Sequence, residues 1–232
     1  MILWNTNFNI KKGKCVMNIS DIEINNFVEG LKNDNGLLNI QNPWNNPQNV
    51  NNLKEFLKQQ KNVKYLLIGE AAGRKGCLQC GVPFCDDYTL EKILANTQID
   101  KNNKVKEETA QRIFAVFKSN FIAWNAFPYQ PCNKNKSNRK PSTDEINNYG
   151  LNKLKEFLDI FSEGKEIILL GNSAKDAFNK LVENNQDMKF YKVRTIIHPS
   201  KCADIQRAKR GYGYGFEGWK EYIKLNVLGL EF

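Results

Sequence analysis

Long apolar runs are missing from this chain. The longest, such as Ile167–Leu170, fall far short of the roughly 20 residues a membrane helix needs. The opening MILW is too short for the apolar part of a secretory signal, and no small-residue cleavage site follows it. A cytoplasmic protein with no membrane partner is therefore expected. Phosphate-loop signatures are lacking too: the glycine-bearing stretch GEAAGRKG at 69–76 matches neither G-x-x-x-x-G-K-[ST] nor G-x-G-x-x-G. This disfavours a nucleotide-binding switch or a kinase-like enzyme. Acid is in short supply, with 25 Asp+Glu against 34 Lys+Arg and a formal charge of +9. Such a balance favours a polyanionic partner, because neutralised phosphates release counterions; the competing explanation is mere solubility in an asparagine- and lysine-rich chain. Histidine is scarcest of all, with His198 alone.

Six cysteines are present, at positions 15, 77, 80, 85, 132 and 202. In a cytoplasmic setting free thiols are expected rather than disulfides. Cys77-x2-Cys80-x4-Cys85 is half of a metal-binding pattern, without a clear fourth ligand at nearby spacing. Ordinary thiols beside a pocket are expected there, with no metal and no cofactor.

The 232 residues suit one domain with a sizeable core. Residues 1–48 read as an N-terminal extension with one helix, Ile19–Leu31, packed on the core, and a turn-rich connector, Asn42–Pro47. Met17 is a second candidate start, which would leave residues 1–16 outside the core. Residues 49–232 read as a single domain in which strands alternate with helices. Expected strands are Val63–Gly69, Phe121–Ala126, Glu166–Leu170 and Lys189–Ile197. Expected helices are Asn49–Lys61, Tyr88–Ala95, Val105–Ser119, a segment opened by the capping box Ser142-x-x-Glu145 and running to about Phe161, Ser173–Glu183, and Phe216–Leu228. This alternation predicts an α/β fold with three layers, α/β/α, around a central, four-stranded, mainly parallel sheet.

In such sheets ligands bind outside the carboxyl ends of the strands. Three of those ends carry chemically loaded residues: Gly69–Phe84, Asn125–Pro131 and His198–Ser200. Phe84, held by Val82–Pro83, is suited to stacking on a flat ring, or simply to packing its own loop. Asn125 has an amide able to pair with a donor and an acceptor of a base edge, or to cap the loop that follows. His198 precedes Pro199, which turns it away from helical geometry and makes it a candidate for catalysis at the crevice.

The set GEAAG…GVPF, AWNAFP, NRKPSTDE, IILLGNSA and HPS, in that order, resembles the uracil-DNA glycosylase superfamily over roughly Leu53–Tyr214. It is most similar to the bacterial iron–sulphur-containing (family 4) branch, and GVPF is also similar to the single-strand-selective branch. The resemblance implies that Gly69, Glu70, Ala71 and Gly73 line the sugar side of a base pocket. It implies further that Phe84 stacks on the base, Asn125 reads its edge, His198 contacts its O2 and Ser200 lies near DNA phosphate. Donors aimed at O2 would stabilise the anion that forms as the base departs, and the base must first leave the stack. The loop Lys201–Tyr214, with Lys201, Arg207, Lys209, Arg210 and Tyr212, is then either a grip on DNA phosphates and a filler of the vacated gap, or a solvated basic loop.

The chain departs from the family pattern in three places. Ala71 stands where the best-known branch has a water-activating aspartate, leaving Glu70 as the nearest substitute, with Asp86 and Asp87 further off. The iron–sulphur branch has a Cys-x-x-Cys near its N-terminus and two later cysteines. Here the matching residues are Cys15 alone, Tyr129 and about Tyr149, so no cluster is expected. Gly73 replaces a tyrosine that excludes the thymine methyl group. The implied activity is that of a monofunctional DNA glycosylase that flips uracil, or a related damaged or modified pyrimidine, and hydrolyses its N-glycosidic bond. Its expected partner is DNA, its expected state a monomer. The alternative is a DNA-binding member that has lost turnover.

Overall fold

The computed structural model describes residues 19–32, 39–59, 63–185 and 192–229. Cys15, Met17 and the start of the expected strand Lys189–Ile197 lie outside them.

Helix α1 (Asp21–Gly30) opens with a reciprocal capping box between Ser20 and Glu23. Strand β1 (Ile40–Gln41) and a 3-10 turn, Pro43–Asn45, lead into α2 (Pro47–Lys58), which Asn46 caps. Strand β2 (Tyr65–Ala71) follows, then α3 (Cys77–Cys80), α4 (Asp87–Ile93) and α5 (Glu108–Phe117). Next come β3 (Phe121–Phe127), β4 (Gln130–Pro131) and α6 (Thr143–Glu145), which continues through a π-helical turn, Ile146–Gly150, into α7 (Leu151–Phe161). The chain closes with β5 (Glu166–Leu170), α8 (Asn172–Asn184), β6 (Val193–Ile196), α9 (Asp204–Ala208), α10 (Gly215–Ile223) and a π-helical turn, Lys224–Leu228.

Four strands form a parallel sheet in the order β3-β2-β5-β6, as the alternation of elements predicts. Every residue of β3 and β5 is buried, the pattern of a sheet covered on both faces. Successive side chains alternate between those faces. Trp124 packs on one side, stacked on Trp44 at 5.4 Å and on Phe157 of α7 at 4.9 Å, with Phe27 of α1 at 5.0 Å. Phe121 and its neighbour Tyr65 face the other way, where both meet Phe117 of α5. The N-terminal segment is thus part of the core: Phe27, Val28, Leu31 and Trp44 are all buried.

Two features differ from the sequence-based expectation. β1 and β4 pair antiparallel, joining the N-terminal segment to the stretch after β3. Residues 201–208, expected as loop, are a 3-10 turn followed by α9, and this changes the role of Arg207, as described next.

Candidate active site

The carboxyl ends of β2, β3 and β6 converge on a cleft of about 280 Å³ lined by Glu70, Ala71, Gly73, Phe84, Asn125, His198 and Ser200, among others. The register explains the first contacts. Gly69 and Asn125 are directly paired across β2 and β3. A Cβ on Gly69 would lie 2.2 Å from Phe84 Cζ and 2.7 Å from Asn125 Oδ1. Only glycine lets the aromatic ring and the amide share that floor. Asn125 is 2% exposed, and its Oδ1 has no hydrogen-bond donor. A buried acceptor without a partner is costly, and one at the edge of a cleft is ready for a ligand donor.

Phe84 has a left-handed backbone, φ 57°, a conformation that costs a bulky residue energy and that the surroundings must enforce. They do so from the stretch that precedes β2. Trp44 Nε1 donates to Gly81 O at 3.0 Å, Asn49 Nδ2 to Leu78 O at 3.1 Å, and Asn52 Nδ2 to Cys80 O at 3.0 Å. Gly81 lies so close to Asn49, with φ 82°, that a Cβ there would fall 2.4 Å from the Asn49 carbonyl oxygen. Three side chains upstream of β2 therefore fix the turn that presents Phe84.

His198 follows β6, its ring centroid 6.5 Å from that of Phe84. The Ser200 amide donates to its Nδ1 at 3.1 Å. In the neutral imidazole the proton then sits on Nε2, which makes that nitrogen the donor. Burial, helped by the positive charge of Arg207, lowers the His198 pKa to about 4. The ring is neutral at physiological pH.

Glu107 and Thr109, at the start of α5, and Asn138 and Arg139 complete much of the wall. Sequence reasoning missed all four as site residues, although Asn138 and Arg139 lie in the NRKPSTDE motif. Burial raises the Glu107 carboxyl above its ordinary range, against a hydrogen bond from the Ala110 amide at 3.0 Å. Nothing in the local pattern marks Glu107, which reaches the cleft because its own amide is tied to Asp86 Oδ2 at 2.8 Å. Asp86 is fully buried as the cap of α4, and Asp87 accepts from the Val105 amide at 2.7 Å. Both carboxylates are occupied in holding structure.

Two further clefts of about 300 Å³ adjoin the first around His198, lined in part by Lys140, Ser173, Gln206 and Arg210. Lys201, Lys209 and Arg210 are exposed. Arg207 is a correction: it is fully buried, and its guanidinium donates to His198 O and Ser200 O rather than facing solvent. Tyr212 is also engaged, stacked edge-on against Tyr222 at 4.9 Å, with its hydroxyl accepting from Asn226. Cys77, Cys80 and Cys85 are buried free thiols whose pKa values burial pushes up, so they are unreactive. Among the described residues, no group of three or more His, Cys, Asp or Glu is arranged to hold a metal ion.

The molecule is a three-layer α/β domain whose polar cleft opens at the carboxyl ends of a parallel sheet. Residues 57–211 match the uracil DNA glycosylase superfamily, and the chain belongs to it. Its fold is similar to that of a solved structure described as wild-type Pedobacter heparinus SMUG2. The TM-score is 0.63 at 17% sequence identity, over 90% of this chain and 97% of that one. No curated protein matches the sequence.

Proposed function

We propose that this protein is a monofunctional DNA glycosylase that flips uracil, or a related damaged or modified pyrimidine, and hydrolyses its N-glycosidic bond to leave an abasic site. The observation that carries this reading is the convergence of Phe84, the unpartnered Asn125 Oδ1 and a neutral His198 on one cleft. Phe84 supplies a wall for the extruded base, and Asn125 reads its edge. As the bond breaks, positive charge builds on the sugar and negative charge on the base. The Nε2 proton of His198 is directed at the base O2, where a preorganised donor is worth about 3 kcal/mol. A neutral donor is well suited here, since it needs no proton from solvent and remains available across the physiological range.

Glu70 is the candidate to orient the attacking water. The oxocarbenium character of the transition state lowers the demand on that water, so a carboxylate one position away from Ala71 suffices. The family resemblance places no lysine for Schiff-base chemistry, and hydrolysis without strand cleavage follows from that reading. A Cβ on Gly73 would meet nothing within 4 Å, and the absence of a side chain there supports a pocket that does not exclude a substituted pyrimidine. Gly73 and Ser200 border the nucleotide, while Lys201, Lys209 and Arg210 contact phosphates.

End-labelled oligonucleotides with uracil opposite G, opposite A and unpaired, and with a 5-substituted uracil, test the reading after alkali treatment. Wild-type cleavage is expected, with a loss of roughly 100-fold or more in His198→Ala. Glu70→Gln identifies the water-orienting group by a comparable loss. Binding without cleavage of any of these substrates would instead identify a DNA-binding member without turnover.

A further inference from the structure

We propose that Arg207 is a positioning residue for His198, clamping the turn that carries the imidazole through two backbone carbonyls and held from behind by Asp204 and Arg112. Its Nη1 donates to His198 O at 2.6 Å and its Nη2 to Ser200 O at 3.1 Å. The same turn sends the Ser200 amide to His198 Nδ1. Arg207 thus holds the two peptide units on either side of the one that carries this amide, and the amide in turn fixes which ring nitrogen carries the proton.

The clamp is anchored from behind. Asp204 accepts from Arg207, and Arg112 of α5 reaches the same carboxylate at 2.6 and 3.1 Å. Arg112 also meets Glu108 at 2.5 Å, so two guanidinium and two carboxylate groups balance in charge. Trp219 of α10 closes the arrangement, its ring 5.6 Å from the Arg207 guanidinium and its Nε1 donating to Arg112 O at 2.8 Å. Buried ion clusters of this kind are weak sources of stability, because desolvation offsets their attraction. What this one provides is geometry: a planar fork that spans two carbonyls two residues apart, which a lysine's single ammonium does not reproduce.

The kinetic part of this proposal rests on the glycosylase reading, but its structural part has its own test. His198 is the only histidine of the chain, so labelling with ¹⁵N-histidine gives one imidazole to follow by NMR. The ionisable groups around it are Arg207 behind, and Glu70, Glu107, Arg139, Lys140 and Arg210 along the clefts it lines. The full-length wild type is expected to show the Nε2-protonated neutral tautomer down to well below pH 6. In Arg207→Gln that single tautomer is expected to give way to a mixture, with the pKa moving up towards the ordinary histidine range. The single-turnover excision rate should fall roughly 10- to 100-fold with DNA affinity unchanged, and Arg207→Lys should recover only part of the loss. Should Arg207→Gln not fold, as judged by circular dichroism, Asp204→Asn loosens the clamp while keeping its arginine and is read by the same signal. An unchanged tautomer and titration in a folded variant overturn the proposal. A wild type inactive on every base would sink the glycosylase reading, yet leave the NMR comparison to decide the role of Arg207.

Discussion

Gly69 shows how little freedom the cleft leaves at single positions. Its missing side chain is the space in which the Phe84 ring and the Asn125 amide meet, so Gly69→Ala must push one of them away. Excision by this variant is expected to fall by about 100-fold through misplacement of the pocket wall, with a stability cost of about 1–3 kcal/mol from overpacking. Single-turnover kinetics and thermal melts separate the two effects, and wild-type activity in the variant would contradict this account of the floor. His198 makes a prediction of a different kind. Its pKa is about 4 when folded, against an ordinary value near 6.5 in the unfolded chain. Between those values the unfolded state binds the extra proton, so stability rises with pH across the window and is lost as pH falls through it. The loss attributable to this one ring is about 3 kcal/mol, complete below pH 4. Urea denaturation of wild type and His198→Gln from pH 4 to 7 should show the slope in the former and its reduction in the latter.

Among elements, the helix–turn that carries Phe84 depends on residues far away in sequence. Asn52 donates to Cys80 O and Gln98 O and accepts from the Gln98 amide at 2.9 Å, satisfying three backbone groups with one side chain. Asn52→Leu leaves those groups without partners and should destabilise by about 3 kcal/mol. Chemical denaturation measures that cost; activity should fall with it, since the strained φ of Phe84 is enforced by this turn. The same contrast explains what the sequence reveals. Strand β5 is legible to the residue because EIILL is a continuous apolar run between turn signals, and β2 and β3 are nearly so. The positions of Glu70, Asn125 and His198 on the cleft are legible because the first two lie in the last residues of β2 and β3 and the third follows β6. Helix α9 and the burial of Arg207 are not, because the partner that draws this charge inward, Arg112 through Asp204, lies 92 positions from that aspartate. Glu107 is hidden for the same reason: its place on the cleft wall is set by Asp86, a contact no local pattern contains.

At the scale of the whole molecule, the charge of +9 divides into positive groups spent inside and positive groups left for a partner. Arg112 and Arg207 are buried and neutralised by Asp204 and Glu108, and Arg139 is paired with Glu145. Lys201, Lys209 and Arg210 are exposed, and Arg210 shares with Lys140 a cleft beside His198. If these exposed groups neutralise phosphates, each contributes to the salt dependence of binding, at a slope of about −0.9 per contact on duplex DNA and about −0.7 on single strands. Lys209→Ala with Arg210→Ala should then weaken binding at low salt equally for uracil-containing and undamaged DNA, and flatten the log–log slope by about 2 on duplex. Fluorescence anisotropy between 50 and 200 mM salt gives both numbers. An equal loss on both DNAs marks contacts that position without reading sequence. A loss confined to the uracil-containing strand would instead move these residues from the backbone to the flipped nucleotide. An unchanged slope would show that Lys209 and Arg210 make no phosphate contact, and would leave the DNA to be held by other groups.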